Sequence, residues 1–320
     1  MTSPPDSPPP IAPTDAHTHV HAAADPGRLA IWTAPDGWPH RRYDRPGTGR
    51  GRLLFQTGRA DMIEKYRPTL DHFHGRGWDV TAFDWRGQGG SGRLAAGDVG
   101  HVEDFGLLVD DLAAFWRDWR RGDGPHVLVA HSMGGFLSLR ALVEGRIDPA
   151  ALVLVAPMLA LRSPVGAWAG GMLARWQVGR GDPARAAWRR LEGERAAQAR
   201  QRRLTHDLSG FEAQQAWRAA HPDLCLGSPS WQWVAQAFAQ TAALRADPRL
   251  DRLRTPVQFV LADADRLVDS RAAIRVANRM PAAELIRFGR ESAHEILREV
   301  PPVRDKALAA INAFLDSHAP

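Results

Sequence analysis

The sequence predicts an α/β fold built on a mostly parallel sheet, and three observations carry that prediction. Short apolar runs recur along the chain and are apolar throughout, as strands buried on both faces of a parallel sheet are. They alternate with longer stretches of helical periodicity, the rhythm of β-α units. The chain is also long enough, at 320 residues, 44% hydrophobic and 24% charged, to bury such a sheet without disulfides; disordered and collagen-like classes are excluded.

The strands are read at 52–56 (RLLFQ), 78–83 (WDVTAF), 126–130 (HVLVA), 151–155 (ALVLV) and 257–261 (VQFVL), with a weaker one at 284–288 (ELIRF). Between them, helices are expected around 62–73, 102–119, 135–143, 272–279 and 303–315. Two earlier segments, 29–33 and 39–43, flank Asp36-Gly37 and read as an antiparallel hairpin at the sheet edge. The rhythm breaks between about 157 and 230, which holds no convincing strand and reads as a helical insertion. Residues 162–203 carry ten arginines against Asp182, Glu192 and Glu194, and six of the twelve tryptophans fall between 168 and 233.

Composition narrows the function classes. The single cysteine, Cys225, can form no internal disulfide and no zinc site alone. Arginine supplies every basic residue except Lys65 and Lys306, so part of the net charge of +5 is compositional bias, and no nucleic-acid partner is expected. The N-terminus lacks the basic start and apolar core of a secretory signal, and no apolar run is long enough for a membrane span, which points to the cytoplasm. Residues 1–24 are proline-rich and read as a flexible tail. Its Asp15-Ala16-His17-Thr18-His19 has the spacing of a paired metal ligand, but it follows a tail rather than closing a buried strand; these are read as surplus histidines.

The sharpest motif is the strand HVLVA followed by His131-Ser132-Met133-Gly134-Gly135 and a helix. Small residues two before and two after Ser132, at Ala130 and Gly134, suit a tight elbow that projects a serine Oγ over the sheet. A nucleophilic serine needs a histidine to take its proton and a carboxylate to hold that histidine. Both follow in the order Ser, acid, His, each beyond a strand end. His294 lies after ELIRF, and Asp263, Asp265 and Asp269 lie after VQFVL. Asp265 is favoured: Asp263 sits too close to the strand end, and Asp269 is placed to cap the helix starting at Ser270. His131, next to the nucleophile on a sharp turn, is read as a packing residue. The oxyanion hole is assigned to the backbone N–H groups of Met133 and Arg59, the latter made available by Gly58.

At these residues the chain resembles the α/β-hydrolase serine hydrolases of the lysophospholipase and monoacylglycerol lipase branch. The resemblance covers about 28–316. It rests on Thr57-Gly58-Arg59 through Tyr66, on Asp84-Trp85-Arg86-Gly87-Gln88-Gly89-Gly90-Ser91-Gly92, on the His131–Gly135 elbow, on 264–269 and on 293–297. Cap segments 204–207 and 227–233 look closer to bacterial lysophospholipases. Thr57 in place of the usual histidine and Ala130 at the head of the elbow depart from the family pattern.

The resemblance implies an α/β-hydrolase core at 25–156 and 231–320, with a helical cap at 157–230 over the site. It also implies carboxylic-ester hydrolysis of a lysophospholipid or monoacylglycerol through an acyl-enzyme, without metal or cofactor. Short-chain or aromatic esters are the alternative substrates, and a non-catalytic hydrolase-like binding protein is the rival of a different class. An arginine- and tryptophan-rich cap has the composition to touch an anionic membrane surface from the inner face; a solvated bundle with buried tryptophans is the other reading. Oligomeric state leaves no trace in the sequence.

Overall fold

A computed structural model describes residues 27–188 and 193–320; the 1–24 tail and its His17/His19 pair lie outside the described residues. One eight-stranded sheet organises the chain, in the order β1-β2-β4-β3-β5-β6-β7-β8. β1 (Arg28–Thr33) and β2 (Pro39–Arg45) form the expected edge hairpin, and β2 pairs antiparallel with β4 (Asp79–Phe83). β3 (Arg52–Gln56), β5 (His126–His131), β6 (Ala151–Val155), β7 (Val257–Ala262) and β8 (Ala283–Phe288) continue in parallel from β4.

The apolar runs are continuous because both faces are covered. Leu54, Leu128, Leu152 and Val257 stand in register across β3, β5, β6 and β7. They pack on one side under α2 (Phe105–Trp119), α3 (Met133–Val143) and α8 (Ser270–Ala277). Their neighbours Leu53, Phe55, Val129, Val153 and Val260 point the other way, against α1 (Arg67–Gly75) and α9 (Pro301–His318). The helix expected from 62 begins instead as a 3₁₀ turn at Ile63–Tyr66. Pro68 explains the break: it supplies no N–H and fits only the first turn of the α-helix that follows.

Between β6 and β7 the described residues form α4 (Gly166–Val178), α5 (Glu194–Leu204), α6 (Leu208–Ala220) and α7 (Trp231–Ala246). α4 lies against α7 through its smallest residues: Gly170 and Gly171 back onto Phe238, and Ala174 is buried beside them. A Cβ at position 170 would come within 2.8 Å of the Phe238 ring, so the close approach requires glycine there.

Candidate active site

The parallel strands β3, β5, β7 and β8 end at one edge of the sheet, and each is followed by a loop carrying one expected site residue. This is where open α/β sheets place their sites. Ser132 follows β5 at φ 52° and ψ −116°, a conformation non-glycine residues adopt only under constraint. Three hydrogen bonds hold it: its N–H donates to Val155 O at 3.0 Å, and its carbonyl accepts from Met158 at 2.9 Å and Phe136 at 3.1 Å. A Cβ on Gly134 would stand 2.4 Å from Thr57 O, and one on Gly135 would stand 3.0 Å from Pro157. The glycines therefore let the elbow touch the loops after β3 and β6.

His294, from the loop after β8, reaches both partners. Its Nε2 lies 2.9 Å from Ser132 Oγ and its Nδ1 2.6 Å from Asp265 Oδ2. Serine, histidine and aspartate are all buried. The other Asp265 oxygen accepts the N–H groups of Leu267 at 2.7 Å and Val268 at 3.1 Å, which fixes the carboxylate. Burial pushes the Asp265 carboxyl up, but His294 and the two backbone donors outweigh it, so Asp265 stays below the usual carboxylate range. Burial pulls His294 down, and Asp265 more than reverses that, leaving the imidazole above its ordinary value.

Asp263 pairs at the surface with Arg287 at 2.8 Å, tying the end of β7 to β8. Asp269 caps α8, accepting from Arg271 N at 3.0 Å. Of the three carboxylates, only Asp265 meets the histidine.

The loop after β3 is scaffolded from the 84–92 turn. Trp85 Nε1 donates to Thr57 O at 2.8 Å and Gln88 Nε2 to Gly58 O at 3.2 Å, while Gln88 Oε1 accepts Ala60 N at 2.8 Å. Gly58 N turns to Asp61 at 3.2 Å. Among the described residues the Arg59 N–H is left without an acceptor. Met133, the first residue of α3, is likewise beyond the intrahelical ladder. Gly58 packs tightly on the elbow: a Cβ there would stand 3.1 Å from Ser132 Cβ. Asp84 anchors the turn by accepting from Gly90 N, Ile63 N and Arg41, although burial lifts its pKa to about 6.

Sequence reasoning missed a buried charge network beneath the site. Lys65 bonds to Asp61 and, at 2.5 Å, to Glu295 Oε1; Arg298 holds the second Glu295 oxygen at 2.5 Å. Burial pushes the Asp61 and Glu295 carboxyls up, and their cationic partners bring both below the ordinary range. In the neutral tautomer that satisfies both ring nitrogens, His131 donates from Nε2 to His294 O at 3.3 Å and accepts the Tyr66 hydroxyl at 2.9 Å. It thus supports the His294 backbone from below, a role close to the packing function expected of it. One signal was present in the sequence: Lys65 is one of two lysines in a chain that otherwise uses arginine.

A family model described as "Serine aminopeptidase, S33" matches residues 47–301. The chain belongs to that family. This α/β-hydrolase is 32% identical over 282 residues to lysophospholipase L2 of Escherichia coli K12, covering 82% of this chain and 79% of the relative. It is 26% identical over 275 residues to the probable lysophospholipase L2 of Haemophilus influenzae, covering 82% and 83%. Among solved structures it resembles a soluble variant of the Saccharomyces cerevisiae monoglyceride lipase, with TM-score 0.73, 19% identity and coverage of 92% and 97%. The monoacylglycerol lipase of Paleococcus ferrophilus gives TM-score 0.71 and 19% identity, with coverage of 91% and 100%. The hydrolase is thus a member of the lysophospholipase and monoglyceride lipase branch.

Proposed function

We propose that this hydrolase cleaves the carboxylic ester of a single-chain lipid, a lysophospholipid or a monoacylglycerol, through an acyl-enzyme. The observation that carries the reading is His294 standing within hydrogen-bond distance of both Ser132 and Asp265. Ser132 Oγ attacks the ester carbonyl carbon while its proton passes to His294 Nε2. The oxygen of the tetrahedral intermediate takes its negative charge toward the N–H groups of Arg59 and Met133. As the intermediate collapses, the C–O bond to the alcohol breaks and His294 returns its proton to the departing oxygen. A water, deprotonated by the same nitrogen, then attacks the acyl carbon; the bond to Ser132 Oγ breaks, that oxygen takes the proton back from His294, and the fatty acid leaves. Asp265 keeps Nδ1 protonated and offsets the transient imidazolium charge.

Comparing kcat/KM across an acetate-to-palmitate ester series, with lysophosphatidylcholine alongside, tests the substrate class. Long-chain esters and the lysolipid are expected to lead. A maximum at acetate or butyrate would make this a short-chain esterase. Failure of a labelled fluorophosphonate to modify Ser132 would favour a non-catalytic binding protein.

In the same reading, the 157–230 segment with α4, α5 and α6 acts as a cap that rests on an anionic membrane surface. Among the described residues no helix is long and apolar enough to cross a membrane. α4 nonetheless turns its large residues outward: Val165, Trp168, Met172 and Trp176 fall on one face, and Trp168 is 79% exposed. Trp188 and Leu208 are exposed as well, whereas Trp233 is buried. An apolar stripe bordered by arginines suits shallow insertion among headgroups. Each basic residue near such a surface contributes about 1 kcal/mol, over a Debye length of about 8 Å. Binding to phosphatidylglycerol vesicles, weakened by salt and by Trp168→Ala, supports this. Equal partitioning to neutral vesicles, or none to either, contradicts it.

A further inference from the structure

Arg59 does more than present a backbone amide. Its guanidinium donates to Gly227 O and stands 5.3 Å above the ring of Trp233. Its Nε is buried and has no acceptor among the described residues. Arg218 of α6 reaches the same loop from the far side, with long hydrogen bonds to Ala60 O at 3.4 Å and Leu226 O at 3.3 Å. Arg93, at the rim, donates to Asp223 O and, at 3.2 Å, to Cys225 O.

None of these three arginines forms an ion pair among the described residues, whereas Arg41, Arg86 and Arg298 each hold carboxylates. Two nearby carboxylates favour the Arg59 cation without pairing with it: Asp61, which Lys65 engages, and Asp98, which packs on Gly227 and is exposed to solvent. Burial, with the like charge of Arg218, pulls the Arg59 pKa down to about 10. A partly buried cation answered only by backbone carbonyls is costly unless an anion completes it.

We infer that Arg59 and Arg218, with Arg93 at the rim, form a subsite for the phosphodiester of a lysophospholipid headgroup. The inference rests on the ester-hydrolase reading of Ser132 and narrows its substrate to the phosphate-bearing class. Its geometry follows from one residue serving two ends of the substrate. Arg59 follows Gly58, which packs on the elbow, and its side chain extends toward Gly100, Leu226 and Trp233. Those three residues and Met133 line one pocket no larger than a water, beside the start of α3. Planar guanidinium donors match phosphate oxygens in paired, charge-assisted hydrogen bonds stronger than those to neutral carbonyls. A phosphate would therefore displace the 222–227 carbonyls from these donors. A monoacylglycerol offers only neutral hydroxyls there.

The test is the ratio of kcat/KM for a lysophosphatidylglycerol to that for the monoacylglycerol of the same chain. In Arg59→Met/Arg218→Met, which keeps every backbone N–H, this ratio is expected to fall tenfold or more. Arg59→Lys/Arg218→Lys should recover part of the loss. Arg254→Met removes one arginine charge at the opposite edge of the sheet, before β7, and should leave the ratio unchanged. Equal loss on both substrates would overturn the inference, because it would make the arginines staples of the 222–227 loop. A calorimetric titration with glycerophosphocholine and with inorganic phosphate separates this inference from the esterase reading. Diester binding that vanishes in the double methionine variant is expected. Binding of inorganic phosphate alone, or of neither, overturns the headgroup assignment whichever ester is hydrolysed.

Discussion

Lys65 Nζ lies 2.5 Å from Glu295 Oε1, so a lysine beside the loop after β3 grips the residue next to the histidine bonded to Ser132. The same ammonium holds Asp61, whose carboxylate receives Gly58 N. One buried cation thereby ties the loop after β3 to the loop after β8, and both flank Ser132.

Replacing that cation leaves Asp61 and Glu295 less compensated, and both favour the protonated form of His294. Lys65→Met is expected to move the acidic limb of kcat/KM to higher pH and to lower its plateau by about tenfold. Breaking a buried pair costs roughly 3–5 kcal/mol. Lys65→Met/Glu295→Gln, which removes one of the two carboxylates, should regain part of that stability. A pH profile on the folded variant decides the point; an unmoved limb would show the network to be structural only.

His294 sits above its ordinary value of 6.5, and it must be neutral to accept the serine proton. Activity should therefore rise with pH through an apparent pKa above 6.5 and then level off. Stability runs the other way for this group. Its raised pKa contributes fully below the unfolded value and is lost as pH rises through the folded one. Asp265, held low, stays ionised throughout this window. A kcat/KM profile whose midpoint fell below 6.5 would contradict the assignment.

Among the three carboxylates after β7, Asp265→Asn is expected to reduce kcat by about 10⁴, the scale of losing the histidine's orienting acid. Asp263→Asn removes an exposed pair with Arg287 worth less than about 1 kcal/mol. Asp269→Asn exchanges one good helix cap for another. Steady-state kinetics on the three variants ranks them; a larger loss at 263 or 269 would reassign the acid.

Gly134→Ala would drive a Cβ to 2.4 Å from Thr57 O, a backbone atom that cannot swing aside. The elbow and the oxyanion loop must then part. Turnover should drop at least tenfold together with a lower Tm, whereas a silent substitution would show that this contact does not set the site.

Much of this arrangement was legible because it is written locally. The run RLLFQ is apolar at successive positions and proves to be covered on both faces. Ser132 announces itself through Ala130 and Gly134, small because backbones meet there. Asp265 could be chosen over its neighbours because Asp269 stands where a helix cap is needed. The Lys65–Glu295 contact was not legible. Its partners lie 230 residues apart, and neither carries a local pattern. Whether Trp168 and Trp176 face outward is open between two readings of the sequence, since helical spacing alone does not say which face is buried. Here the glycine face of α4 packs on α7, and the large residues are left outside.

In the proposed reaction Ser132 is the nucleophile, and Ser132→Ala removes the attacking oxygen. Deleting one hydroxyl from a buried elbow should leave circular dichroism and Tm close to those of the parent. Hydrolysis of a long-chain ester should fall by several orders of magnitude, on the scale of about 10⁶ found for loss of a triad serine. A folded Ser132→Ala enzyme that retained activity within tenfold of the parent would show that Ser132 is not the nucleophile.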